Sequence, residues 1–127
     1  MSRVLLVAVG GALGSVARSG VGVAAPRVLG SGFPWGTLIV NVTGSFLIAL
    51  VMHLAVATAA ISPSARLFLT TGVMGGFTTY SSFNYETLNL VGERLWGVAA
   101  LNVALTVVLC LVAGVVGQAA GRAMAGG

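Results

Sequence analysis

The sequence predicts an all-α integral membrane protein with four membrane-spanning helices in each subunit. Of its 127 residues, 57% are hydrophobic and 6% are charged, and the mean hydropathy is +1.07. Soluble domains carry about 25% charged residues, so most of the surface of this chain cannot face water. A helix needs about 20 predominantly apolar residues to cross the hydrocarbon core, and turn-forming residues divide the chain into four segments of this kind.

The four predicted spans account for a single transmembrane domain over residues 1–127 and leave no room for a soluble domain. Pro26 and the turn cluster of residues 30–34 (GSGFP) are expected to end the first span. Residues 62–63, Ser-Pro, predict a helix N-cap followed by proline at the first helical position. Trp35 and Trp96 fall at span ends, where aromatic residues anchor helices at the membrane interface. The predicted spans are residues 4–24, 37–60, 66–90 and 96–120.

The third span is rich in small and hydroxylated residues, reading TTGVMGGFTTYSSFNYE between residues 70 and 86. Polar groups are costly in hydrocarbon unless they face protein, water or a permeating solute. Thr78, Ser82 and Glu86 are spaced four apart, so they are expected to form one line along a helix. This density of polar residues predicts a solute pathway. Hydrogen bonding between helices is the alternative explanation.

Two further features place the predicted pathway. Glycines at 75 and 76 followed by β-branched threonines at 78 and 79 predict a break in the third helix, and freed carbonyls there could coordinate a cation. In the second span, Asn41 shares a helical surface with Thr37 and residues 44–45, Gly-Ser. The second span therefore adds polar side chains to the predicted pathway.

The charged residues are few and almost evenly divided between the two sides of the predicted bundle. Six arginines and two glutamates are present, without lysine or aspartate. Three arginines fall on the side of the N-terminus, and two or three on the other side, depending on Arg18. The positive-inside rule needs a clear excess to fix orientation, so we expect both orientations and an antiparallel dimer. Orientation by the flanking context is the alternative. The basic residues are not clustered, so no nucleic-acid partner is expected.

The remaining features point to packing and not to catalysis. Glycines at helical spacing predict close helix contacts, and they include Gly10, Gly14, Gly72, Gly75, Gly114, Gly117 and Gly121. His53 lies in an apolar stretch without a nearby acid, and Cys110 also lies in an apolar run. No catalytic set emerges, so the chain is not expected to be an enzyme.

Three segments of the chain resemble the Fluc fluoride channels, also called CrcB proteins. They are residues 75–83 (GGFTTYSSF), 36–46 (GTLIVNVTGSF) and 10–18 (GGxxGxxxR). The resemblance covers nearly the whole chain. It implies an antiparallel dual-topology homodimer with two pores in the plasma membrane of a prokaryote. Such a channel passively exports cytoplasmic fluoride and confers fluoride resistance.

The resemblance also implies roles for individual residues. Asn41 matches an asparagine that faces the anion, and Tyr80 and Phe83 match paired pore aromatics that are usually both phenylalanine. A polar track and a basic residue near the vestibule correspond to Ser81, Ser82, Glu86 and Arg18. A structural sodium ion at the dimer centre would be held by the backbone carbonyls of Gly75 and Thr78 from both subunits.

Two other classes of protein share some of these features. A dual-topology drug/proton antiporter would have a similar length and charge balance. Such an antiporter normally needs a membrane-embedded acid in its first helix, and residues 4–24 contain none. A structural subunit would use the glycines only for packing, and its polar residues could be replaced without loss of transport.

Overall fold

The computed structural model describes residues 2–126, and its regular elements are helices. Three of them are long and apolar enough to cross a membrane, namely the first, the second and the last. The third predicted span corresponds to a discontinuous segment, residues 63–92. In chain order the elements are α1 (Arg3–Leu29), α2 (Trp35–Ala57), α3 (Pro63–Leu67), a π-helical segment (Phe68–Met74), α4 (Gly75–Phe77), α5 (Tyr80–Gly92) and α6 (Trp96–Met124). Residues 63–77 are called the first half-helix below, and α5 is the second.

The outer surface of the long helices is apolar, as expected for an integral membrane protein. Val4, Val16, Leu111 and Val115 are each more than 60% exposed. Large exposed apolar side chains along whole helices are stable against lipid or another protein, and not in water. The interior is correspondingly small and consists mostly of glycine, alanine and a few aliphatic residues.

Two helix ends show how local sequence decides the boundaries. The first helix continues past Pro26, where the sequence predicted a stop, and ends at Leu29, directly before the predicted turn cluster of residues 30–34. A proline inside a helix removes one backbone donor, and α1 tolerates that loss until Gly30, whose φ of 86° ends it. The predicted cap at Ser62 is confirmed. Its side chain accepts a hydrogen bond from Ala65 N at 3.1 Å, with Pro63 at the first helical position.

Glycines bring α1 against the first half-helix. A β-carbon on Gly10 would lie 2.7 Å from Phe68 O and 2.9 Å from Gly72 Cα, and one on Gly14 would lie 2.9 Å from Phe77 N. These distances leave no room for a side chain, so the predicted small-residue contact is confirmed here.

The parallel helices α2 and α6 pack in the same manner. Gly117 lies against the backbone of Phe46, and Gly121 lies against His53. The expectation for Gly114 is wrong, because a β-carbon there would meet nothing within 4 Å. Gly75 likewise makes no close helix contact; its nearest neighbour is Thr70 O, in its own segment, at 3.7 Å. The helices α2 and α6 thus form a closely packed pair beside the discontinuous segment.

Candidate functional site

The predicted break in the third segment is present, and it lies at Thr78 and Thr79. Thr78 has ψ of 159° and Thr79 has φ of −153° and ψ of 120°, so both are extended between two helical pieces. Gly75 and Gly76 stay helical in α4. Thr79 starts the second half-helix as its N-cap, accepting a hydrogen bond from Ser82 N at 3.1 Å.

The side chain of Asn41 holds the break from α2. Its Nδ2 donates to Thr79 O at 3.0 Å, and its Oδ1 accepts from Thr79 N at 2.8 Å. One carboxamide therefore satisfies both backbone groups of a residue that has left the helical ladder. Because the Nδ2 group carries two N–H donors, one donor is left for another partner.

The hydrogen bonds made by Asn41 and by the Thr79 hydroxyl leave two backbone carbonyls at the break without their helical donors. In a continuous helix Thr79 N would donate to Gly75 O, and Ser82 N would donate to Thr78 O. Here Thr79 N turns to Asn41, and Ser82 N turns to the Thr79 hydroxyl. The carbonyls of Gly75 and Thr78 thereby lose their helical donors.

Arg18 caps a third carbonyl of the same turn. Its Nε donates to Gly76 O at 3.1 Å, and the side chain is half-buried. Arg18 follows Gly14 by one helical turn, so the close approach of α1 delivers the guanidinium to the C-terminal end of α4. A positive charge there is favourable because the helix dipole places partial negative charge at that end.

The N-terminal half of α2 contacts the discontinuous segment through the surface that the sequence predicted for Thr37, Asn41 and Gly44. Thr37 Oγ1 donates to Glu86 Oε1, and Asn41 bonds to Thr79. A β-carbon on Gly44 would collide with the methyl group of Thr78. The three contacts follow each other from the second half-helix to the first.

The predicted pathway residues divide between two cavities. A cavity of about 470 Å³, called the aromatic cavity, is lined mainly by apolar atoms and includes Asn41, Thr78, Tyr80, Phe83, Thr106 and Cys110. A cavity of about 660 Å³, called the polar cavity, includes Arg18, Thr37, Ser81, Ser82, Tyr85 and Glu86. Thr79, at the break, lines both cavities.

The break also alters one expectation about the third segment. Ser82 and Glu86 lie on one face of α5 and line the polar cavity, but Thr78 precedes the break and lines the aromatic cavity. The predicted continuous line of these three residues is therefore wrong, because Thr78 and Thr79 are not helical. Together with Gly75, Thr78 also lines a separate open cavity of about 930 Å³, whose lining includes Arg3 and Arg66.

The two aromatic residues of the motif form an edge-to-face pair. The ring centroids of Tyr80 and Phe83 are 5.7 Å apart, and the ring planes are inclined by 68°. Tyr80 is 80% exposed, whereas Phe83 is half-buried. Aromatic rings carry a positive edge, so this arrangement can present ring hydrogens to an anion.

Sequence reasoning missed a polar cluster between α5 and α6. Asn102, which is 2% exposed, donates to Thr87 Oγ1 at 2.9 Å, and Thr87 Oγ1 donates to Phe83 O at 2.7 Å. Thr106 Oγ1 lies 3.5 Å from Asn102 Oδ1. A signal was available, because Asn102 and Thr106 are four residues apart in an otherwise apolar helix.

The fold and the site together define an integral membrane protein of the channel and transporter class. Discontinuous helices that expose backbone groups beside a cavity are typical of membrane proteins that bind or pass ions.

The chain belongs to the CrcB family. Residues 5–118 match the family model described as CrcB-like protein, Camphor Resistance (CrcB). A protein of Sorangium cellulosum is 46% identical over 127 residues, covering 100% of both chains. A protein of Anaeromyxobacter is 57% identical over 113 residues, covering 89% of this chain and 90% of the relative. A protein of Thermus thermophilus is 58% identical over 91 residues, covering 72% of each. All three carry the name fluoride-specific ion channel FluC.

Proposed function

We propose that this chain is the subunit of a fluoride-selective ion channel in the plasma membrane of a bacterium. It exports fluoride from the cytoplasm passively and so confers fluoride resistance. It is not an enzyme. The observation that carries the proposal is the meeting of Asn41, Tyr80 and Phe83 in one cavity at a helix break. The names of the relatives agree with it, because one of them matches this chain over its full length.

The chemistry of the break suits a small, strongly hydrated anion. One N–H of Asn41 remains available, and the hydroxyls of Ser81 and Ser82 line the adjoining cavity. The first turn of α5 adds backbone N–H groups and the positive end of a helix dipole. These donors replace the water around fluoride without the tight binding that a fixed lysine would give. A binding site must be weak enough for the ion to leave.

Selectivity and direction follow from the same features. The edge of Phe83 would attract an anion, and the edge-to-face pair of rings would restrict the width of the pathway beside it. Chloride is larger and gains less from short hydrogen bonds. A membrane potential that is negative inside contributes about 2.3 kcal/mol per 100 mV toward expelling one negative charge. Passive flow is therefore sufficient for export.

We further propose that two copies pair in antiparallel orientation and form two pores, with the segment 63–92 as a fourth membrane crossing. This segment runs from the end of the bundle that holds Arg66 to the end that holds Glu93. The half-helix α5 buries none of its residues, and Tyr85 and Leu88 are 66% and 59% exposed. A second copy would cover this face. The nearly equal distribution of arginines permits both orientations.

The carbonyls released at the break fit a structural sodium ion. Gly75 O and Thr78 O have lost their helical donors to Asn41 and Thr79, and hard cations prefer oxygen ligands of this kind. The same two residues from a second copy would complete the ligand set. When bound, the ion would offset the partial negative charge of these carbonyl oxygens. Replacing sodium with a large organic cation during purification is expected to dissociate or inactivate the dimer.

A drug/proton antiporter is the second candidate, and Glu86 is the residue that favours it. It is half-buried and accepts a hydrogen bond from Thr37, so an acid is present within the membrane region. The first helix carries no acid, however, and an antiporter would lose activity with Glu86→Gln. Proton-coupled flux that requires Glu86 would support this candidate against the channel.

Growth of a bacterial strain that lacks its own fluoride exporter tests the proposed function in cells. Expression of this chain should restore growth in millimolar fluoride, and Phe83→Ile at equal membrane abundance should not. Equal growth in fluoride with the parent protein and with Phe83→Ile, or no growth with either, would contradict the proposed role of the aromatic cavity.

A further inference from the structure

The half-helix α5 carries most of the proposed pathway, yet it is the element least held by packing. It bears Tyr80, Ser81, Ser82, Phe83 and Glu86, and none of its residues is fully buried. Its orientation must therefore depend on directional contacts. Side-chain hydrogen bonds within the described residues supply three of these, two to α2 and one to α6.

The two contacts with α2 leave one motion free. Asn41 holds Thr79 at the start of α5, and Thr37 holds Glu86 nearly two turns later. Both contacts lie toward the same neighbouring helix. They fix two points along α5, but the helix can still rotate about the axis that joins these two points.

The contact with α6 removes this motion. Asn102 Nδ2 donates to Thr87 Oγ1 at 2.9 Å, and Thr87 Oγ1 uses its own hydrogen on Phe83 O at 2.7 Å. Asn102 is 2% exposed and projects from a helix that is tightly packed on α2. A buried carboxamide in this apolar setting keeps its partner, because an unpaired donor is costly there. The chain of two hydrogen bonds thus ends on the carbonyl of the pore aromatic itself.

We propose that Asn102 is a positioning residue for fluoride conduction, acting through Thr87 on the orientation of Phe83. This inference rests on the proposed function for its effect on flux. Asn102 itself lines neither the aromatic cavity nor the polar cavity. Its role is to set the rotation of α5, and hence where the edge of Phe83 points.

The chain offers closely matched variants for a test of flux. Asn102→Leu removes the donor at similar volume, and Thr87→Val removes the shared hydroxyl, whereas Thr87→Ser keeps it. Thr70→Val is the control, because Thr70 is 8% exposed and bonds only to Arg66 O, in its own helix, at 2.7 Å. Fluoride flux per folded dimer should fall about three- to twentyfold in Asn102→Leu and Thr87→Val, the equivalent of one interhelical hydrogen bond in a membrane.

Two results separate positioning from simple stabilisation. The double variant Asn102→Leu/Thr87→Val should be no slower than either single variant, because the two residues act through one chain of bonds. Thr87→Ser and Thr70→Val should both keep flux within about twofold of the parent. Flux that is unchanged in Asn102→Leu and Thr87→Val, or equally reduced in Thr70→Val, would overturn the inference.

A spectroscopic measurement decides the inference without transport. With 4-fluorophenylalanine incorporated at position 83, the fluorine NMR resonance should shift or broaden in Asn102→Leu and Thr87→Val and stay in place in Thr70→Val. If the parent protein passes no fluoride, the proposed function fails and this resonance alone tests the positioning of residue 83. A resonance that is unchanged in both variants overturns the inference whatever the flux.

Discussion

Replacing Asn41 with leucine tests the break most sharply. The substitution removes both hydrogen bonds to Thr79, at 3.0 and 2.8 Å, and leaves a backbone N–H and C=O without partners in a half-buried position. Interhelical hydrogen bonds in membrane proteins contribute about 0.6–1.7 kcal/mol each, so the two together should cost about 1–3 kcal/mol. Thr79 N then regains the option of bonding to Gly75 O, and the break partly closes.

The assay is fluoride efflux per folded protein, together with thermal unfolding in detergent. We expect Asn41→Leu to reduce flux by more than about tenfold and to lower the unfolding temperature. Ser45→Ala is the matched control, because Ser45 lies one turn further on the same face and lines the same cavity. Parental flux and stability in Asn41→Leu would refute the assignment of Asn41 to the break.

Four further substitutions test separate features of the fold and the site. Glu86→Gln should keep much of the flux, because glutamine retains the oxygen that accepts from Thr37, and loss of all flux in the efflux assay would contradict a passive pore. Gly14→Ala should lower stability in thermal unfolding by about 1–3 kcal/mol, since its β-carbon would lie 2.9 Å from a backbone nitrogen of the first half-helix. Gly20→Ala, which meets nothing within 4 Å, should instead be neutral or stabilising by about 0.5–1 kcal/mol. Arg94→Gly should stabilise by about 1 kcal/mol because Arg94 has φ of 61°, and a lower unfolding temperature would show that its side chain contributes more than its strain costs.

The class of fold could be predicted because composition acts on the whole chain. A charged fraction of 6% excludes a water-exposed surface, and local signals such as the Ser62 cap act within a few residues. The break was also predictable, although the two glycines stay helical and the two threonines leave the helix. The extended backbone of Thr79 needs Asn41, which lies 38 residues earlier, so its exact position depends on tertiary contact.

The parts of the site that escaped prediction share one cause. The hydrogen bond from Asn102 to Thr87 joins two helices across the bundle, and periodicity along one helix does not show which neighbour it faces. The same holds for Arg18, whose bond to Gly76 O depends on how closely α1 approaches. The helix did not end at Pro26 because a helix of 27 residues tolerates the loss of one backbone hydrogen bond.

The central claim, a passive pathway selective for fluoride, is tested most directly by efflux from liposomes that contain the purified protein. A fluoride electrode records release after a potassium ionophore is added, and the same liposomes are tested with chloride. We predict rapid fluoride release and negligible chloride release, without a requirement for a proton gradient. Equal release of both ions, or no fluoride release from a verified dimer, would contradict the proposed channel.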